Sequence, residues 1–169
     1  MTPSRHLAAV LAAAVLGMSA TLMIRHSVER EKAPSVAYTL LDGRHASTQE
    51  LRGKVVLVNF CATSSAICLH EMPKIISTYQ RFRSRGYDTL AVSMSYDAPA
   101  AVIAYAQRRS LPFGVAIDNT GAIAQSFGNV QSTPTSLLID KHGRIVKRFV
   151  GEPNFAELDA LVEKLLAEA

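Results

Sequence analysis

Residues 53–73 read GKVVLVNFCATSSAICLHEMP, and one change of pattern inside this stretch decides the fold. Gly53-Lys54 closes a turn that opens at Leu51-Arg52. Val55–Phe60 then runs apolar and β-branched, the composition of a central strand buried on both faces. From Ser65 to Arg85 the apolar positions Leu69, Met72, Ile75, Ile76, Tyr79 and Phe82 recur every three or four residues. That period predicts a helix, kinked at Pro73, whose ring removes a donor from the helix interior.

Downstream the alternation continues. Thr89–Ser93 reads as a second central strand and Pro99–Arg109 as a helix with Val102, Ile103 and Ala106 on one face. Phe113–Ile117 is a short apolar strand and Gly121–Phe127 a brief helix. Leu137–Ile139 and Ile145–Val150 flank Asp140-Lys141-His142-Gly143, the pattern of a hairpin. Asn154 has the character of an N-cap, with Glu157 three residues on and Phe155, Leu158, Leu161, Val162 and Leu165 along one helical face. Upstream, Ser35–Leu41 alternates weakly before the turn Asp42-Gly43 and reads as an edge strand. The order is that of an α/β fold: a mixed sheet with helices on both faces and an antiparallel pair at one end.

The chain holds 169 residues, 49% of them hydrophobic and 19% charged, enough for one packed domain and too apolar for a disordered chain. The formal net charge is +4, half of it in residues 1–32. No basic stripe interleaved with aromatics appears, which argues against nucleic acid as a partner. Leu7–Ile24 is 18 residues without a charge, preceded by Arg5 and His6. As a helix it would reach roughly 27 Å, close to the hydrocarbon thickness of a bilayer. An uncleaved anchor is favoured over a cleaved signal, because the best cleavage site, after Ala20, has bulky Met18 two residues before it. Either way the rest of the chain is expected outside the cytoplasm, with residues 1–34 as anchor and charged tether and residues 35–169 as the domain.

The element order and the residues Gly53–Phe60, Ala62-Thr63, Cys68, Glu71-Met72-Pro73, Thr133-Pro134-Thr135 and Ile139–Ile145 resemble those of the membrane-anchored TlpA/ResA-like thiol–disulfide oxidoreductases. These belong to the redoxin superfamily of alkyl hydroperoxide reductase and thiol-specific antioxidant relatives. The resemblance implies a thioredoxin-like fold, inner-membrane tethering with the domain facing the periplasm, and electron exchange with protein thiols and disulfides. It also implies an upstream redox partner. The family motif runs Trp-Ala-Thr-Trp/Ser-Cys-x-x-Cys-x-x-Glu, and this chain departs from it. Ser65 stands in the place of the attacking cysteine and Cys61 in the place of the first Trp; Cys68 keeps the resolving position.

A serine hydroxyl is not appreciably ionised and forms no disulfide, so a Ser-x-x-Cys site loses the ordinary exchange reaction. Cys68 is then either the surviving redox thiol or a small buried hydrophobe. Cys61 is either a truncated core position or one half of a relocated Cys61–Cys68 pair, which requires the Cα atoms to lie about 4.4–6.8 Å apart. Glu71, one turn beyond Cys68, is by resemblance a proton acceptor or donor near the thiols; otherwise it is a solvated carboxylate. The resemblance makes Pro134 cis and places the Thr133 backbone where a substrate strand docks. His70 is expected at the outer face of its helix.

Other functions are weighed against this one. Ser65 favours a non-catalytic thioredoxin-fold module that binds extended polypeptides beside Pro134. A Cu(I) site would use the soft thiolates Cys61 and Cys68 with His70 or a methionine. A peroxidase would use Ser65-Ala66-Ile67-Cys68, but the proline expected ahead of it is missing. No organic cofactor is implied, since the glycines sit at turns and form no phosphate cradle.

Overall fold

The computed structural model describes residues 30–168. The apolar segment 7–24, read above as an anchor or signal, lies outside them. In chain order the elements are β1 (Ala37–Thr39), β2 (His45–Ser47), β3 (Val55–Cys61), α1 (Ala66–Phe82), β4 (Tyr87–Ser93), α2 (Pro99–Arg109), β5 (Gly114–Ile117), α3 (Ala122–Ser126), β6 (Thr135–Ile139), β7 (Ile145–Val150) and α4 (Phe155–Ala167). Five strands form one sheet in the order β5-β4-β3-β6-β7. β3, β4 and β5 run parallel, while β6 is antiparallel to both β3 and β7.

Every residue of β3 is buried, as its apolar run requires of the middle strand. Its alternation sends two sets of side chains to opposite faces. Val55 and Leu57 pack with Met72, Ile75 and Phe82 of α1, Val102 of α2, and Leu158, Val162 and Leu165 of α4. Val56, Val58 and Phe60 pack with Ile123, Ala124 and Phe127 around α3 and with Tyr38 from β1. Phe60 and Phe127 meet edge to face at 5.6 Å between ring centroids. By the same alternation Asn59 and Cys61 fall on the α1 face, and this single parity sets up the site described below.

Several sequence expectations are corrected. The edge strand read over Ser35–Leu41 does not join the large sheet; β1 pairs with β2, which the sequence pattern had not shown, in a separate two-stranded hairpin. A single bridge from Leu40 to Ala116 ties this hairpin to the outer side of β5. Residues 31–33, read as part of a tether, lie within the compact unit that spans Glu31–Ala169. Glu31 O accepts from Ile145 N at 2.7 Å, and Ala33 N donates to Gly143 O at 2.9 Å. On α2 only Val102 of the expected apolar face is buried, and Ile103 is exposed. β6 begins at Thr135, two residues before the expected strand, because Thr135 and Ser136 still pair with β3 and β7.

α1 continues through Pro73, which sits on its exposed side. Its start follows from Ser65, whose hydroxyl accepts the Cys68 N–H at 3.4 Å in the manner of an N-cap. α4 starts on Asn154, whose side chain accepts the Glu157 N–H at 3.2 Å. Among the described residues no helix is long and apolar enough to cross a membrane.

Candidate active site

At the C-terminal end of β3 the chain turns through Ala62–Ser65 into α1. The turn is held at both ends. Ser65 N donates to Ala62 O at 3.1 Å. Asp97, buried in the loop after β4, accepts from the Thr63 amide and the Thr63 hydroxyl, both at 2.6 Å, and from the Ser93 hydroxyl at 3.3 Å. Sequence reading missed Asp97, because an acid two residues before Pro99 has the pattern of a helix start. Replacing Asp97 by Ala leaves the half-buried Thr63 amide without a partner. The expected cost is about 3 kcal/mol, the sum of a charged hydrogen bond and the orphaned donor, read as a lowered midpoint in urea unfolding.

On α1 the buried residues are Cys68, Glu71, Met72, Ile75, Thr78 and Phe82. The inward stripe thus carries Cys68 and Glu71 ahead of its apolar positions, facing Asn59 and Cys61 on β3. Glu71 has no exposed surface, so the solvated-carboxylate reading does not hold. Its Oε1 accepts from Asn59 Nδ2 at 2.9 Å and from Cys61 Sγ at 3.5 Å, while its Oε2 has no partner. Asn59 Nδ2 also reaches Ser136 Oγ at 2.9 Å. Burial raises the Glu71 pKa to about 7, the Asn59 amide opposing this.

Cys61 and Cys68 are both free thiols, both buried. Cys68 Sγ lies 3.4 Å from the amide nitrogen of Ala62, the residue directly after Cys61. The Cys61 thiol and the hydroxyls of Ser65 and Thr133 lie around the same sulfur and favour its charged form. Led by the Cys61 thiol, these donors outweigh burial and lower the Cys68 pKa to about 6. The first turn of α1 adds its unpaired N–H groups and dipole in the same sense. Cys61 is driven the other way, because the nearby Cys68 sulfur favours its protonated form, it is desolvated, and it faces the charges of Cys68 and Glu71. The two thiols are thus pushed in opposite directions, Cys68 toward the thiolate and Cys61 toward the protonated form, with the Glu71 carboxyl beside Cys61.

The remaining expected residues fall around this couple. The Thr133–Pro134 peptide is cis. Thr133 Oγ1 lies 3.2 Å from the Tyr96 hydroxyl, and Tyr96 and Ile67 are exposed large side chains. His70 is exposed on the outer face of α1, away from the buried sulfurs. Among the described residues no group of three His, Cys, Asp or Glu side chains gathers to hold a metal. Beside the sulfurs lies a small apolar pocket of about 40 Å³, walled by Cys61, Cys68, Met72, Val102, Tyr105 and Leu111.

Comparison with known proteins agrees with this geometry. The family model described as Redoxin matches residues 29–162. The thiol-disulfide oxidoreductase ResA of Bacillus anthracis is 32% identical over 135 residues, covering 80% of this chain and 77% of that protein. ResA of Halalkalibacterium halodurans is 29% identical over 139 residues, covering 82% and 78%. Among solved structures, a putative thioredoxin from Neisseria meningitidis superposes with a TM-score of 0.76 at 38% identity, covering 82% of this chain and 93% of its own. A thiol:disulfide interchange protein from Chlorobium tepidum gives 0.75 at 26% identity, covering 83% and 99%. With its five-stranded mixed sheet, helices on both faces and a cysteine in the first turn after the central strand, the chain belongs to the redoxin family and has its thioredoxin-like fold.

Proposed function

We propose that this chain is an exported, membrane-tethered thiol–disulfide oxidoreductase acting on protein cysteines, with Cys68 as its reactive thiol. The observation that carries the reading is the Ala62 N–H, which donates to the Cys68 sulfur at 3.4 Å in the first turn of α1, with Cys61, Ser65 and Thr133 favouring the thiolate from nearby. A sulfur kept only as a small hydrophobe needs no such surroundings. The Cys68 thiolate attacks a sulfur of a substrate disulfide, a Cys68–substrate bond forms, and the other substrate sulfur leaves as a thiolate. Thr133 and Pro134, with Tyr96 and Ile67, form the docking edge for the substrate chain. The apolar segment at residues 7–24 tethers the domain on the extracytoplasmic side. Exchange is slower than at a two-cysteine motif, because Ser65 holds the accessible position and has no thiol.

The test is the pH profile of iodoacetamide labelling, resolved by peptide mass for each cysteine. Cys68 is expected to label with a midpoint at about pH 6, while Cys61 stays unlabelled in the folded chain. A Cys68 midpoint near the ordinary value of 9.0 overturns the reading. Ser65 specifically favours a second reading, a non-catalytic module binding extended polypeptides along the Thr133 edge. That module would show the ordinary midpoint and form no mixed disulfide.

A further inference from the structure

We infer that Cys61 replaces the missing thiol of the motif, so that Cys61 and Cys68 form a relocated redox pair with Glu71 as its proton acceptor. The inference rests on the reading of Cys68 as the reactive thiol. Its own support is the packing at the end of β3. Strand parity turns Cys61 toward α1, and the Asp97-anchored turn brings the first helical turn back over it. Cys68 Sγ is thereby held against the amide next to Cys61, and Cys61 Sγ against Glu71 Oε1. Both cysteines line the same small apolar pocket. A small thiol at position 61 and a buried carboxyl with an unused oxygen at position 71 are otherwise two unrelated oddities.

Atoms and electrons balance through two exchanges. Cys68 thiolate attacks the substrate disulfide, giving the Cys68–substrate bond and one substrate thiolate. The Cys61 thiol passes its proton to the Glu71 carboxylate. Its sulfur then attacks Cys68 Sγ, forming the Cys61–Cys68 bond and breaking the bond to substrate, whose second sulfur leaves as a thiolate. The substrate gains two electrons and the domain loses two. An upstream protein dithiol resets the pair by the reverse exchange, and with a more oxidising partner the same steps run the other way.

The experiment uses the full-length chain in detergent, a model peptide closed by one disulfide, and intact mass after alkylation. The reduced wild type is expected to lose two hydrogens and both alkylation sites, with little peptide bound. Cys61→Ser is expected to accumulate the peptide on Cys68 to roughly tenfold the wild-type level, because nothing releases it. Cys68→Ser should do neither. If wild type and Cys61→Ser carry the peptide equally and the wild type never loses two hydrogens, the pairing falls while Cys68 stands as the reactive thiol. If no variant carries the peptide and the wild type stays reduced, the reading of Cys68 falls and the pairing with it. Should Cys61→Ser fail to fold, Cys61→Ala replaces it; the loss of hydrogens in the wild type needs no variant.

Discussion

Ser65→Cys is expected to raise the rate of protein-disulfide reduction about 100-fold. Position 65 is half-exposed and caps α1, whereas Cys68 is almost wholly covered. A buried thiol meets a protein substrate only during local opening, and an opening of about 3 kcal/mol leaves it reactive roughly 1% of the time. The introduced thiol needs no opening. It would stand at the N-terminus of a 17-residue helix and accept the Cys68 N–H that Ser65 now accepts, which lowers its pKa and makes it the attacking group. Cys68 would then serve as the resolving thiol. The measurement is the steady-state reduction of a protein disulfide with excess dithiol. An unchanged rate would mean that docking, and not the missing thiol, limits this domain.

The second large effect is on stability. The reduced domain is expected to be least stable near pH 6–7. Glu71 titrates at about 7 in the fold against an ordinary 4.5. Between those values the unfolded chain has released a proton that the folded chain still holds, so stability falls as pH rises, by about 3 kcal/mol for Glu71 alone. Cys68 acts in the opposite sense. It titrates at about 6 in the fold against an ordinary 9.0, so stability rises with pH across that window. Above it, Cys61 ionises only in the unfolded chain, and stability falls again. Urea midpoints from pH 4 to 10 would trace a fall, a rise and a second fall. Glu71→Gln is expected to flatten the first limb and Cys68→Ala the rise. A midpoint independent of pH between 5 and 8 in the wild type would remove Glu71 and Cys68 as strongly shifted groups.

The sequence carried the frame well, and the reason is physical. Val55–Phe60 has one composition that suits a strand covered on both sides, and α2 and α4 have the period and the start signals of helices. What stayed hidden was tertiary. β2 is three residues long and too short to show a period. The inward stripe of α1 was read correctly at Met72, Ile75 and Phe82, but its full burial of Glu71 was not, because a carboxylate one turn into a helix has the pattern of a solvated face. The buried role of Asp97 depends on Thr63, 34 residues away, and no local pattern encodes such a partner. At the site itself, Cys61, Ser65, Cys68, Glu71 and Thr133 were all named from the sequence, while their contacts with one another and with Asn59 were not. Only the parity of β3 shows that Cys61 and Glu71 share a wall.

The way the chain enters the domain also has a mechanical side. Residues 31 and 33 are stitched by backbone hydrogen bonds to the β6–β7 turn, beside the end of β3 where Val55 begins. Cys61 closes the other end of that strand, about 20 Å away. A pull on the chain from residue 30 is therefore taken up first by this stitch, whose hydrogen bonds can break in succession. The load reaches the turn between β6 and β7 before it reaches the thiols. The sulfur-bearing loop is anchored separately, through Asp97, at the far end of β3.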